Sequence, residues 1–443
     1  MEELPPPLII EILSRLGDSS ELARCRLVSR TLNSLSCEVS KIHLLFTLSR
    51  YLKSRAPGTE PSVTPFKTII SNLVLHRRAL RSVSIGVEKS LGNISDVDVE
   101  GESDDLYLTD VGFVNQWLPN IGGGLKSLSI SDFWIQSCWR KSEILSLISS
   151  YCHSLLELQV KNAWLSVDGL KPMPMLTSLT LEYIRLDDED LHNVNHCFPY
   201  LKVLNLIGVG GLKEPKIHLL HLNTCLWTVS NAPLSLTILA PKLVKLKLKC
   251  IKPQSLVLET PLLSNFHLAL EEANEFKVKE FPHLKNLKLE SVNLCSLISM
   301  FPSGRTVKKL RVDSMKLKMT GFNFDMLFDV FPNLSYLHMG SGAWKEIENY
   351  FHSRGMEGRR GMKGLKEIVG YLVEFDYLTF SFIFSILDNC TNLSDMALVI
   401  HKRVDNPTAS SLISKCRAAC PRVRWKRGMW IEGTEDLWVS EPL

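Results

Sequence analysis

The sequence predicts an α/β solenoid. A short N-terminal unit of three helices precedes a curved array of repeats, with a parallel β-sheet on the concave face and helices or turns on the convex face. Three observations carry this reading. The pattern LxxLxL, with conservative swaps, recurs from Leu125 to Leu398. Successive copies start 30, 21, 25, 42, 20, 21, 23, 27, 31 and 28 residues apart, the period of units made of one short strand and a returning helix or turn. Ahead of the array, residues 4–44 hold more apolar helical faces than so small a unit can bury by itself.

At 443 residues the chain is long for one compact core, so it should form two domains or an elongated array. An apolar fraction of 45% and a charged fraction of 22% are those of a folded protein. The formal net charge of +4 does not point to nucleic-acid binding, although it leaves room for a local basic patch. Glu2, Glu3 and the prolines Pro5 to Pro7 do not make a secretory leader, and no apolar run is long enough to span a membrane. The 11 cysteines form no CxxC pair and mostly occupy apolar positions of the repeats, as at Cys152, Cys197, Cys250 and Cys390. Reduced, buried thiols of a cytoplasmic or nuclear protein are the expectation. The sequon at Asn333 then carries no sugar.

Taking the chain in order, Pro5 to Pro7 fit the first turn of a helix, where N–H groups need no partner. Leu8, Ile9, Ile12, Leu13 and Leu16 form an apolar stripe at helical spacing, and Gly17 should stop the helix. Asp18 and Glu21 have the spacing of a capping box. Leu22, Cys25, Leu27, Val28, Leu32 and Leu35 carry the pattern through two more short helices. Apolar residues left over in such a unit call for a partner to cover them.

Leu4-Pro5, the run Ile12-Leu13-Ser14-Arg15-Leu16, Leu22 and Cys25-Arg26-x-Val28-Ser29-Arg30 resemble an F-box. The resemblance covers about a tenth of the chain. It implies docking to a Skp-type adaptor and, through it, to a cullin scaffold. The implied adaptor contacts are Leu4, Pro5, Ile9, Ile12, Leu13, Leu16, Leu22, Val28 and Leu32. One position departs from the family, which usually has Trp where Leu32 stands.

The F-box is expected over 1–44 and a linker or N-terminal cap over 45–79. Within that linker Ser40 to Tyr51 reads as a strand and a helix, and Ala56 to Pro65 as a loop. About 12–13 irregular repeats should fill 80–422, beginning at Leu80-Arg-Ser-Val-Ser-Ile85 and interrupted over 86–110 by an insertion. The acidic stretch from Asp96 to Asp105 within it reads as a solvated loop. From Leu125 the copies are LKSLSI, LLELQV, LTSLTL, LKVLNL, LVKLKL, LSNFHL, LKNLKL, VKKLRV, LSYLHM, LKEIVG and LSDMAL. These are leucine-rich repeats, with a degenerate copy expected near Leu222 to Val229. A Pro before many strands, as in Phe198-Pro199, Ala240-Pro241, Phe281-Pro282, Phe331-Pro332 and Cys420-Pro421, ends one unit and sets up the next strand. Helices are predicted at Ser142–Tyr151, Asp325–Val330 and Phe380–Asp388, and less regular, helix-poor units between Leu212 and Ile298. The tail 423–443, with Trp425, Trp430 and Trp438, should cap the array.

No catalytic constellation emerges. His192 and His196 share a helix face but lack a further ligand at a zinc spacing, and the glycines at Gly122–Gly124 and Gly208–Gly211 lack the Lys-Ser/Thr of a phosphate loop. No cofactor, metal site, nucleic acid or membrane is expected. Function should lie on the concave sheet. Strand alternation points the pattern leucines inward and the residues between them outward. The outward set begins polar, with Ser127, Ser129, Glu157, Gln159, Ser178 and Thr180. It becomes basic at Lys245, Lys247, Lys249, Lys288, Lys309 and Arg311, with Asn265, His267 and Asn286 among them. It ends mixed at Tyr336, His338, Glu367 and Tyr371. Strands about 4.8 Å apart should let charges on neighbouring repeats reinforce one another within a Debye length of about 8 Å. The candidate target-binding residues are Lys245, Lys247, Lys249, Lys288, Lys309, Arg311, Tyr336 and His338, for an acidic or phosphorylated partner. The basic, Gly-rich stretch Arg354–Gly364 reads as a loop on the rim.

An F-box followed by leucine-rich repeats resembles the F-box/LRR proteins, most of all those of plants. The resemblance implies the substrate-recognition subunit of an SCF-type ubiquitin ligase that performs no bond chemistry itself. Alternatives are a small-molecule or hormone co-receptor of the same architecture and a plain repeat scaffold.

Overall fold

Recurrent strands, mostly parallel to their neighbours, organise each part of the chain. The computed structural model describes residues 4–53, 64–75, 77, 79–88, 104–133, 139–229, 232–271, 275–278, 280–301, 304–314, 322–355, 362–432 and 436–439. They fall into two compact units, Met1–Asn231 and Ala232–Leu443.

The first unit opens with three helices, α1 (Pro6–Ser14), α2 (Ser19–Val28) and α3 (Arg30–Ser36). Their apolar stripes close on a core of Ile9, Leu13, Leu22, Leu32 and Val39. Helix α1 ends at Ser14, capped at Arg15, so Gly17 lies beyond the stop and not at it. Asp18 caps α2 by accepting from the Ser20 N–H at 2.8 Å, and Ser29 caps α3 through the Leu32 N–H at 3.1 Å. A parallel ladder follows: β1 (Lys41–Thr47), β2 (Ser82–Glu88), β3 (Ser127–Ser131), β4 (Glu157–Lys161), β5 (Ser178–Glu182), β6 (Val203–Val209) and β7 (Thr224–Val229). β1 is already a ladder strand, so the strand expected in the linker belongs to the array. β7 lies where the degenerate copy was expected. The His43 N–H bonds Ser19 Oγ at 2.8 Å and Arg50 pairs with Asp18, which ties the helical unit to the start of the ladder.

Of the acidic stretch, 96–103 lie outside the described residues, but its end is not simply solvated. The Asp105 carboxylate accepts from the Phe66 N–H at 2.8 Å and the Lys67 N–H at 2.9 Å, capping the helix Phe66–Leu75. Asp132 plays a similar part, accepting from the Leu108 and Thr109 N–H groups and the Thr109 hydroxyl.

The second unit continues the same pattern in β8 (Lys245–Cys250), β9 (Asn265–Leu270), β10 (Asn286–Ser291), β11 (Lys309–Ser314), β12 (Tyr336–Met339), β13 (Glu367–Leu372), β14 (Asp395–His401) and β15 (Arg424–Trp430), all parallel. The antiparallel strand β16 (Leu437–Val439) adds to β15. Helices Phe324–Val330, Ser341–Arg354, Tyr377–Asn389 and Asn406–Ala419 return the chain between strands. Asn323, Asp376 and Asp405 each cap one of them through a side-chain oxygen. In the helix-poor stretch the returning segments are strands, Ser235–Leu239, Ser255–Glu259 and Glu275–Val278, paired in parallel with one another. A period of about 20 residues leaves room for a second strand but not a helix. The phenylalanines that precede proline are buried, and Phe281, Phe301 and Phe331 touch in sequence with centroids 6.1 and 5.9 Å apart. In register, Leu246, Phe266, Leu287, Leu310 and Leu337 meet their counterparts in neighbouring repeats, which is how a repeat buries a face it cannot bury alone.

Among the described residues, no helix is long and apolar enough to cross a membrane. His192 and His196 are exposed and Cys197 is buried. Of the stretch Arg354–Gly364, expected as a rim loop, residues 356–361 lie outside the described residues, Arg354 ends a helix and Met362–Gly364 form a 3-10 turn.

Candidate interaction sites

The helical unit has two sets of apolar residues, one buried and one exposed. Ile9, Leu13, Leu22 and Leu32, expected to meet an adaptor, point inward and form the unit's core, with Leu16 partly buried against it. Spacing explains this placement, because Ile9 and Leu13 are four residues apart on the side of α1 that meets the rest of the core. The outward face carries Leu4, Pro5, Ile12 and Val28 of the expected set, and also Leu8, which is 52% exposed. Leu8 and Ile12 make a second stripe beside the first. Leu27 is 88% exposed and Val28 76%. At about 100° per residue, Leu27 lies roughly 140° round α2 from buried Leu22. The apolar pattern held both faces; only the separation between them was missed.

On the second unit, strand register sets the open face in rows. The central row runs Lys247, His267, Lys288, Arg311, His338, Val369, Ala397, Lys426. Beside it run Lys245, Asn265, Asn286, Lys309, Tyr336, Glu367, Asp395, Arg424. Two of the expected contacts change character here. Lys288 forms an ion pair with Glu290, two residues on and on the same face. His267 Nε2 lies 3.2 Å from the same carboxylate, within ion-pair distance but not aligned as a hydrogen bond. The nearby His267 and then Lys288 hold the Glu290 carboxyl down at about 2 against the effect of burial. His338 is 6% exposed, with Tyr371 stacked on it at 4.9 Å. Burial first, then Arg311 and Lys288, push its imidazole down to about 3, so it is neutral at pH 7.

The exposed cations of the expected set therefore form two groups, Lys245, Lys247 and Lys249 on β8 and Lys309 and Arg311 on β11; Arg424 and Lys426 on β15 are exposed further along the same rows. Three strand steps separate the groups, about 14 Å, which exceeds one Debye length. The expected reinforcement holds within each group and not across the whole face. Between them Asn286 donates to Asn265 at 2.6 Å, and the Lys309 ammonium lies 5.8 Å from the Tyr336 ring.

Beyond β11 the open face deepens into a cavity of about 740 Å³. Its floor is Val369 and Ala397, which pack with Tyr371 and Val399. Arg311 and Lys426 stand at the two ends of the row across it. Asp436, next to β16, accepts a hydrogen bond from the Tyr371 hydroxyl, and Trp438 lies at the rim. The Trp430 indole N–H donates to the Leu372 carbonyl at 3.2 Å. Alternation alone placed Tyr371 and His338 on this face; it gave no sign that one covers the other or that the tail reaches them.

Residues 1–41 match the F-box-like family. An F-box/LRR-repeat protein of Arabidopsis thaliana is 53% identical over 449 aligned residues, covering 99% of this chain and 100% of that protein. An FBD-associated F-box protein of the same plant is 28% identical over 170 residues, 36% of this chain and 41% of its own length.

Proposed function

The chain belongs to the F-box/LRR-repeat proteins, and from that membership we propose that it is the substrate-recognition subunit of an SCF-type ubiquitin ligase. Its helical unit docks a Skp-type adaptor and thereby a cullin scaffold. Its open face holds the target. The chain does no bond chemistry; it raises the local concentration of target beside the ligase's transfer machinery. The observation that carries this reading is the set of exposed apolar side chains, Leu8 and Ile12 on α1 and Leu27 and Val28 on α2, outside a core already complete without them. A unit with a finished core gains nothing for its own fold from four more exposed apolar side chains, so a partner supplies the reason for them. On the target side, Lys245, Lys247, Lys249, Lys309 and Arg311 suit an acidic or phosphorylated segment. Buried thiols fit residence in the cytoplasm or nucleus.

Co-purification of the full chain with a Skp-type adaptor tests the reading. Leu8→Asp and Leu27→Asp should abolish capture while leaving the melting temperature unchanged. Capture that survives both substitutions, or a wild-type chain that captures no adaptor, would exclude the ligase role.

A further inference from the structure

We propose that the cavity across β11 to β15 is the part of the open face that selects the target, and that it takes an extended acidic segment with one large apolar side chain between two carboxylates. The proposal rests on the reading of the open face as the target surface. The row Arg311, His338, Val369, Ala397, Lys426 has a cation at each end and an apolar floor between them. Four strand steps at about 4.8 Å put its ends roughly 19 Å apart, the span of about six extended residues. Tyr336, His338 and Tyr371 are bulky beside Val369 and Ala397, so the depression falls where a central side chain would sit. Arg311, Arg417, Lys426 and Arg427 line the cavity against Glu367 and Asp436, which favours a negative occupant. Arg427 is committed to Ser410 and Asn406, and Asp436 to Tyr371; Arg311 and Lys426, exposed at the ends of the row, are placed to meet the ligand.

The chain's own tail places a carboxylate and an indole in the lining of this cavity. Asp436 meets Tyr371 in the cavity, and two residues on, Trp438 packs beside Gly428, where an added Cβ would stand 3.4 Å from the indole. Past the cavity the same row runs through the paired Lys288 to the exposed Lys247, an open track that suits a peptide chain better than a small molecule.

The test uses the full chain bound to its adaptor and a fluorescein-labelled peptide, Glu-Ala-Ala-Phe-Ala-Ala-Glu, followed by anisotropy. Arg311→Glu, Val369→Trp, replacing both peptide glutamates by glutamine, and replacing phenylalanine by alanine should each weaken binding about tenfold or more. Arg311→Lys should retain most of the affinity, Lys415→Glu, exposed on the helix Asn406–Ala419 and outside the cavity, should change it less than twofold, and Asp436→Asn should tighten it. Should Val369→Trp fail to fold, Arg311→Glu, at an exposed position, carries the test. Absence of peptide binding by an adaptor-loaded chain overturns the cavity proposal and leaves the docking reading intact. Equal binding of the glutamine peptide, or a neutral small molecule displacing the peptide, also overturns it.

Discussion

Leu13 and Leu27 offer the sharpest test of the two-faced helical unit, because one substitution at each should produce opposite readouts. Leu13 is 4% exposed and sits in the core, so Leu13→Ala removes buried methyl groups and leaves a cavity. Core replacements of this kind cost about 2–5 kcal/mol. Leu27 is 88% exposed, and Leu27→Ala in a helix exchanges a good helix former for a better one, so the free chain should shift by less than about 0.5 kcal/mol. Adaptor affinity should respond the other way round. Burying a whole leucine contributes roughly 1.5–3 kcal/mol, of which alanine keeps a part, leaving a loss of about 1–2 kcal/mol. That is about 5- to 30-fold in Kd. Leu8→Ala, on another helix, should act additively with it. Calorimetric titration of a Skp-type adaptor into each variant gives the affinity, and differential scanning calorimetry of the free chains gives the stability. If Leu27→Ala melts like the wild type and binds like it too, the outward leucines are not the adaptor surface. If Leu13→Ala melts unchanged, the core is wrongly drawn.

Three further outcomes are expected. Burial raises the Asp132 carboxyl to about 7 from 3.8, despite the Thr109 and Leu108 bonds that oppose it. The native state therefore favours the protonated form, and stability should fall as pH rises from about 4 to 7, by as much as roughly 4 kcal/mol; denaturant unfolding at pH 5 and pH 8 should show that slope, and Asp132→Asn should flatten it. An added Cβ at Gly370 would lie 2.1 Å from the Trp344 ring, so Gly370→Ala should destabilise by about 1–3 kcal/mol and alter the near-ultraviolet dichroism of that indole. Burial pushes the thiols of Cys152, Cys225, Cys250, Cys390 and Cys416 up to about 12, so Ellman's reagent at pH 8 should leave them unmodified until the chain is unfolded.

Much of this architecture could be read from the sequence because a repeat states its own periodicity. Leu128, Leu158, Leu179 and Leu204 face inward as LxxLxL requires, and all are buried. What escaped the pattern depended on partners it does not name. Glu290 stands one alternation beyond the last pattern leucine of its copy, on the same face as Lys288, and cancels a charge that a scan limited to the motif counts as free. His338 has the parity of an exposed residue, but a tyrosine from the next strand covers it. The strands behind the short repeats carry the alternation Leu236, Ile238 and Leu256, Leu258, yet only parallel pairing with one another makes them a sheet.

Leu32 ties these strands of argument together. The family resemblance expects tryptophan there, and read as a contact residue the leucine would mean a weakened adaptor surface. Its side chain instead packs with Ile9, Leu13, Leu22 and Val39, while Leu16, Cys25 and Leu35 close around the same cluster. Its backbone N–H is occupied in capping α3. A smaller side chain at this position changes the volume the interior must fill, and the neighbours that surround it are the ones that can move in. The outward residues Leu8, Ile12, Leu27 and Val28 do not belong to that cluster. The departure from the motif therefore bears on how firmly the helical unit holds together, and the unit's exposed apolar residues are other ones.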